Sequence, residues 1–103
     1  MSPIKRVVII GLDGVPHGLI ENFAGNGIMP ETEKLIEKGL FVPMESSIPE
    51  ISSVAWSSII TGKNPGEHGI FGYTDIPAGT YRLSFPNFND LKAEPFWQIY
   101  NRV

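Results

Sequence analysis

The apolar residues of this chain fall into two patterns, short unbroken runs and helical stripes, and each predicts a different kind of element. Residues 5–12 (KRVVIIGL) form a β-branched run bounded by polar residues and glycine. A continuous apolar run of that length suits a strand covered on both faces, as in a parallel sheet. It ends at Asp13-Gly14, a turn signal. Residues 17–24 read as a short helix in which Leu19, Ile20 and Phe23 share a face; Pro16 suits its first turn, and Gly25, Asn26 and Gly27 stop it. A second helix reads over 31–38. Pro30 opens it, Glu31 and Glu33 suit its positive end, Leu35 and Ile36 face inward, and Gly39 fits the C-terminal cap.

Residues 40–44 read as a second strand and 46–50, with Pro49, as a loop. A third helix is expected over 52–61, with Ala55, Trp56, Ile59 and Ile60 as its buried stripe and Gly62 as its stop. Residues 63–72 (KNPGEHGIFG) read as irregular. The stretch 73–90, rich in Pro, Gly, Asn and aromatics, reads as a long excursion with little regular structure. A further helix over 94–102 carries Phe96, Trp97 and Tyr100 on one side. Strand, helix, strand, helix is the order of an α/β fold with a parallel sheet. Two strands do not make such a sheet, and the sequence finishes on a helix where another strand should follow. The expectation is therefore that residues 1–103 are the N-terminal part of a single larger domain.

Composition narrows the function more than the fold. Hydrophobic residues make up 42% and charged residues 18% of the 103, enough to form a core and too apolar for a disordered tail. With 8 basic and 11 acidic residues the formal net charge is −3, and no basic cluster exceeds Lys5-Arg6, so neither a nucleic-acid surface nor a membrane surface is expected. The absence of cysteine excludes disulfides, zinc-thiolate sites and thiol catalysis. The apolar run before Asp13 is too short for a signal core or a membrane span, and a soluble cytoplasmic domain is the expectation.

Two phosphate-binding motifs fail on inspection. Gly11-Leu12-Asp13-Gly14 follows a predicted strand, but Asp13 stands where a dinucleotide fingerprint needs glycine, and its carboxylate would repel a phosphate unless a cation lay between. Gly62-Lys63 is followed by Asn64 rather than Ser or Thr, which excludes a nucleoside-triphosphate loop. What remains is a pairing. Asp13 lies just past the end of the first predicted strand, where open α/β sheets bind ligands. Ser52 and Ser53 lie at the start of the third predicted helix, where a serine oxygen stands beside free N–H groups that suit a phosphate. Each also has a plain structural use, Asp13 as a loop or capping carboxylate and the serines as N-caps. The functional alternative is a carboxylate and a hydroxyl sharing one metal ion, which would activate the serine as a nucleophile.

The segment 43–71, and within it Ile48-Pro49-Glu50-Ile51-Ser52-Ser53-Val54-Ala55-Trp56 through Thr61-Gly62-Lys63-Asn64-Pro65-Gly66-Glu67-His68-Gly69-Ile70-Phe71, resembles the type I phosphodiesterase/nucleotide pyrophosphatase family of the alkaline phosphatase superfamily. Asp13-Gly14, Met29-Pro30, Leu35-Ile36 and Gly39 stand in the family's order, so the resemblance spans nearly the whole chain. It implies a three-layer α/β/α parallel-sheet fold of the alkaline-phosphatase kind and two divalent metal ions, zinc with manganese as the alternative. It implies hydrolysis of a phosphodiester or phosphomonoester, with a small phosphate ester as substrate and a covalent phosphoseryl intermediate. The family's first metal-binding Asp falls on Asp13. Its metal-held Ser/Thr nucleophile, counted nine residues back from Thr61, falls on Ser52, with Ser53 the neighbouring alternative. His68 matches the family's His-Gly turn, expected to be structural.

Nucleotide pyrophosphatases of the family place a phosphate-holding Asn shortly after that turn. The position here is Tyr73, a candidate substrate contact, and this opens a related phosphatase or phosphonate hydrolase in place of a nucleotide substrate. The family's later Asp and His ligands match neither His17 nor His68, so the chain by itself is expected to be inactive. The competing reading is a non-catalytic module whose loop over 11–18 holds a phosphate-bearing ligand.

Overall fold

The computed structural model describes residues 6–102. Two compact units divide the chain, one up to Met44 and one from Glu45. In the first unit the helices are α1, His17–Gly25, and α2, Pro30–Lys38. Pro30 occupies the first turn of α2, where a missing N–H costs nothing, with Glu31 and Glu33 beside it and Lys38 in the last turn, all favourable to the helix dipole. Gly39 ends it, its N–H donating to the Leu35 carbonyl at 2.9 Å. The two helices pack on each other, and Ala24 is the buried apolar residue between α1 and its surroundings.

The second unit holds α3, Ser52–Thr61, α4, Pro65–His68, a single 3-10 turn at Phe88–Asp90 and α5, Phe96–Asn101. Gly62 takes the left-handed conformation (φ 64°) that terminates α3, a conformation open to glycine at little steric cost. Its N–H closes the last turn on the Ser58 carbonyl at 2.9 Å. α3 and α4 pack together, with Val54 and His68 fully buried and Ile70 nearly so. The stretch 73–90 crosses back on itself through one antiparallel bridge, Asp75 with Ser84, and the capping box of Asn87 and Asp90 closes the 3-10 turn.

The expected three-layer α/β/α parallel sheet is not the architecture found: among the described residues there is no strand or sheet, only helices and irregular segments. The stretches read as strands, 5–12 and 40–44, have no regular structure where described, and Lys5 lies outside the described residues. The physical reason is that a strand is defined by its neighbour. Apolar, β-branched sequence favours extended backbone but makes no ladder without a second strand to exchange N–H and C=O groups. Val8, Ile10, Leu40 and Met44 accordingly stay between 74% and 88% exposed. No helix among the described residues is long and apolar enough to cross a membrane.

Candidate functional site

Asp13 belongs to the first unit. It sits exposed in the turn with Gly14, whose φ of 67° reverses the chain ahead of α1. Pro16 is the residue that precedes the first turn of α1, and no side chain caps that helix, so Asp13 is not a capping carboxylate. Nearby in sequence, His17 stacks on Phe41 with ring centroids 4.2 Å apart and planes 11° from parallel. Its Nδ1 lies 3.7 Å from Glu21 Oε2, and its Nε2 is buried without a hydrogen-bond partner.

Ser52 and Ser53 belong to the second unit, as the first two residues of α3. The capping position falls on Ile51, in extended backbone, and no side chain caps the helix. The serines therefore do not serve as N-caps, the commoner use of such residues at a helix start. The backbone ladder begins one step later, with the N–H groups of Val54 and Ala55 donating to the Ile51 carbonyl at 3.1 and 2.9 Å. That leaves the N–H groups of Ser52 and Ser53 ahead of the ladder, at the positive end of the helix. Ser52 is half-buried. The Ser53 hydroxyl is buried with no partner. Further along, Ser57 Oγ donates to the Ser53 carbonyl and Thr61 Oγ1 to the Ser57 carbonyl, both at 2.6 Å, so these hydroxyls are engaged within the helix itself.

The pair that sequence reasoning did not find is Ser58 with His68. Pro65 in the first turn and Gly69 (φ 80°) just past the end frame α4, the same proline-then-glycine signal that marks longer helices and the one that could have revealed this turn. His68 is fully buried, with Nε2 3.0 Å from Ser58 Oγ. Its Nδ1 accepts the Ile70 N–H at 3.0 Å. A ring nitrogen that accepts carries no proton, so in the neutral ring the proton is on Nε2 and is donated to Ser58. This arrangement cannot draw a proton from Ser58. A serine–histidine pair that resembles a nucleophile with its base is a structural clasp between α3 and α4. Burial holds the His68 pKa below the usual histidine value, which keeps the ring neutral.

Ser53 and Tyr73 do come together. Both line an open cleft of about 300 Å3 in the second unit, walled by Ile60, Ile70, Phe88 and Leu91. Tyr73 itself is 59% exposed and stands at the surface of that cleft. Ser52 is the residue next to Ser53 on the helix and is not part of the wall. Metal-ligand chemistry is sparser. Among the described residues no group of three or more His, Asp or Glu side chains stands close enough to hold an ion. One carboxylate and one hydroxyl are fewer donors than the four that zinc ordinarily takes, so these residues do not by themselves make a metal centre.

Neither a curated protein nor a solved structure matches the chain. The model of one protein family does, described as type I phosphodiesterase / nucleotide pyrophosphatase, and the match runs over residues 7–102. It takes in Asp13, Ser52, Ser53, His68 and Tyr73 alike, so by nearly its full length this chain belongs to the type I phosphodiesterase / nucleotide pyrophosphatase family.

Proposed function

We propose that this sequence serves a hydrolase that cleaves a phosphodiester or phosphomonoester, with Ser52 as the nucleophile and Asp13 as one ligand of a divalent cation. The observation that carries the reading is the place of Ser52 in the family-matched region. It is the first residue of α3, half-buried, beside two N–H groups that precede the helix ladder. In the proposed reaction Ser52 Oγ forms a bond to phosphorus, and the bond to the leaving oxygen breaks with its electron pair. The serine proton passes to solvent and the leaving oxygen takes up one. Water then attacks the phosphoserine, restoring the hydroxyl and releasing the phosphate product. The N–H groups of Ser52 and Ser53 are suited to hold a non-bridging phosphate oxygen during both steps.

Two divalent ions, zinc or manganese, belong to the proposal. Of the described residues, Asp13 and Ser52 are the donors offered to them, and the set needs further ligands. Tyr73, standing where nucleotide pyrophosphatases carry Asn, favours a phosphate ester other than a nucleotide. The test is a trapping experiment in the active hydrolase that carries this sequence. Quenching during turnover should leave a phosphoryl group on the peptide containing Ser52, and Ser52→Ala should abolish both the adduct and turnover. Turnover that survives Ser52→Ala would remove the serine from the mechanism. A second reading is a phosphate-binding module without catalysis, in which the loop over 11–18 holds a phosphate-bearing ligand. Phosphate binding that persists with no turnover under any added divalent metal would favour it.

A further inference from the structure

We propose that Ser53 determines specificity, and that the cleft it lines takes an uncharged, mostly apolar group of the ester bearing one hydrogen-bonding atom. Only the statement that this group belongs to the substrate rests on Ser52 being the nucleophile. The cleft measures about 300 Å3. That is the lower end of the ~300–1,000 Å3 usual for ligand cavities, which fits a single ring or a short acyl group. No charged side chain lines it. An ionised group entering there would lose hydration with no counter-charge to replace it, whereas Ile60, Ile70, Pro86, Phe88 and Leu91 offer contact to an apolar one.

The polar side chains of the wall sort into engaged and unengaged. Ser57 Oγ is committed to the Ser53 carbonyl, and Asn87 Oδ1 accepts the Asn89 N–H at 2.9 Å. Tyr73 stands largely exposed to water, whereas Ser53 Oγ is buried with no partner at all. An unpartnered buried hydroxyl destabilises the fold that holds it. Ser53 lines the cleft, and a polar atom lodged there would supply the partner that the folded chain withholds from its hydroxyl. Ser52 and Ser53 have Cα atoms ~3.8 Å apart, so an ester with phosphorus at Ser52 reaches the cleft with its next few atoms.

The test uses the 103-residue chain and three small molecules of like size: benzamide, neutral with polar atoms; toluene, neutral without; and benzoate, charged. Binding is followed by the amide resonances of Ser53 and Gly72, both in the cleft wall, beside thermal melts. Benzamide should shift both resonances, and benzoate should bind at least tenfold more weakly. Ser53→Ala should weaken benzamide about three- to tenfold, the range of one neutral hydrogen bond, while toluene is unchanged. The same variant should melt no lower than the parent chain, because the hydroxyl removed had no partner to lose. Opposite signs for binding and stability set this apart from a structural serine. Benzamide affinity untouched by Ser53→Ala, equal losses for toluene and benzamide, benzoate binding as well as benzamide, or no shift at these two amides would each overturn the proposal. None of these readouts involves turnover, so failure here and failure of Ser52 as nucleophile are told apart.

Discussion

Replacing His68 by alanine tests the second unit at the side chain that links α3 to α4. The ring is fully buried, bridges Ser58 and the Ile70 N–H, and joins the end of α3 to the turn of α4. His68→Ala leaves the N–H of Ile70, itself only 6% exposed, without an acceptor, at a cost of about 1–3 kcal/mol. The lost ring leaves a cavity, for which large-to-small core substitutions cost about 2–5 kcal/mol. The two effects overlap, and a total of about 3–5 kcal/mol is expected. Against the ~5–15 kcal/mol that ordinary domains hold, this is enough to unfold the unit or nearly so. Urea unfolding read by the fluorescence of Trp56 and Trp97 measures it, since both indoles lie in that unit. His68→Asn should recover at least ~1 kcal/mol, because a short amide oxygen can accept the Ile70 N–H as Nδ1 does. Ser58→Ala should cost about 1–3 kcal/mol by stranding Nε2–H. If His68→Ala moved stability by less than ~1 kcal/mol, the clasp would not be what joins α3 to α4.

The same histidine sets a pH dependence. Its folded pKa is depressed by burial, so the folded chain prefers the neutral ring. The stability this contributes is present above the ordinary histidine value, ~6.5, and is lost as pH falls through it. Urea midpoints between pH 8 and 5 should fall toward acid, and less so in His68→Asn; a flat profile would contradict the burial argument. Gly69→Ala should cost more than Gly62→Ala in thermal melts. Both have positive φ, worth roughly 1–2 kcal/mol, but a Cβ at Gly69 would meet Lys92 Cδ at 2.9 Å while one at Gly62 meets open space. Lys92→Ala should erase the difference, and equal costs in its presence would refute the contact. Finally, the 103-residue chain with zinc or manganese should not turn over a chromogenic phosphodiester, and sustained turnover would show that the described donors suffice.

The local signals that end helices were legible for α2 and α3. Pro30 opens α2, Gly39 closes it in extended backbone and left-handed Gly62 closes α3, because such signals act within one turn. The same punctuation at Pro65 and Gly69 went unread in a segment dense with glycine, and α4 was missed. α5 is shorter than its aromatic stripe implied, beginning at Phe96 after Pro95 rather than at 94. The runs at 5–12 and 40–44 failed for a different reason: their residue types favour extension, yet pairing is a property of two segments and cannot be read from one. The Ser58–His68 clasp is likewise invisible in the sequence, since ten residues and a left-handed glycine separate its halves. Serine at a helix start suggested a cap, but the structure sets the cap at Ile51 and frees both hydroxyls from that duty.

The exposed apolar residues of the first unit carry a consequence for handling the chain at the bench. Val7, Val8, Ile9 and Ile10 follow one another at 62% exposure or more, with no proline or charge among them. Unladdered runs of this kind adhere to one another as concentration rises. In a titration at high protein concentration the chain should then compete with the ligand for its own apolar surface, and its spectra should drift with dilution before any ligand is added. Dilution series should therefore precede the binding and unfolding curves, and the concentrations used for those curves should lie where the series is flat.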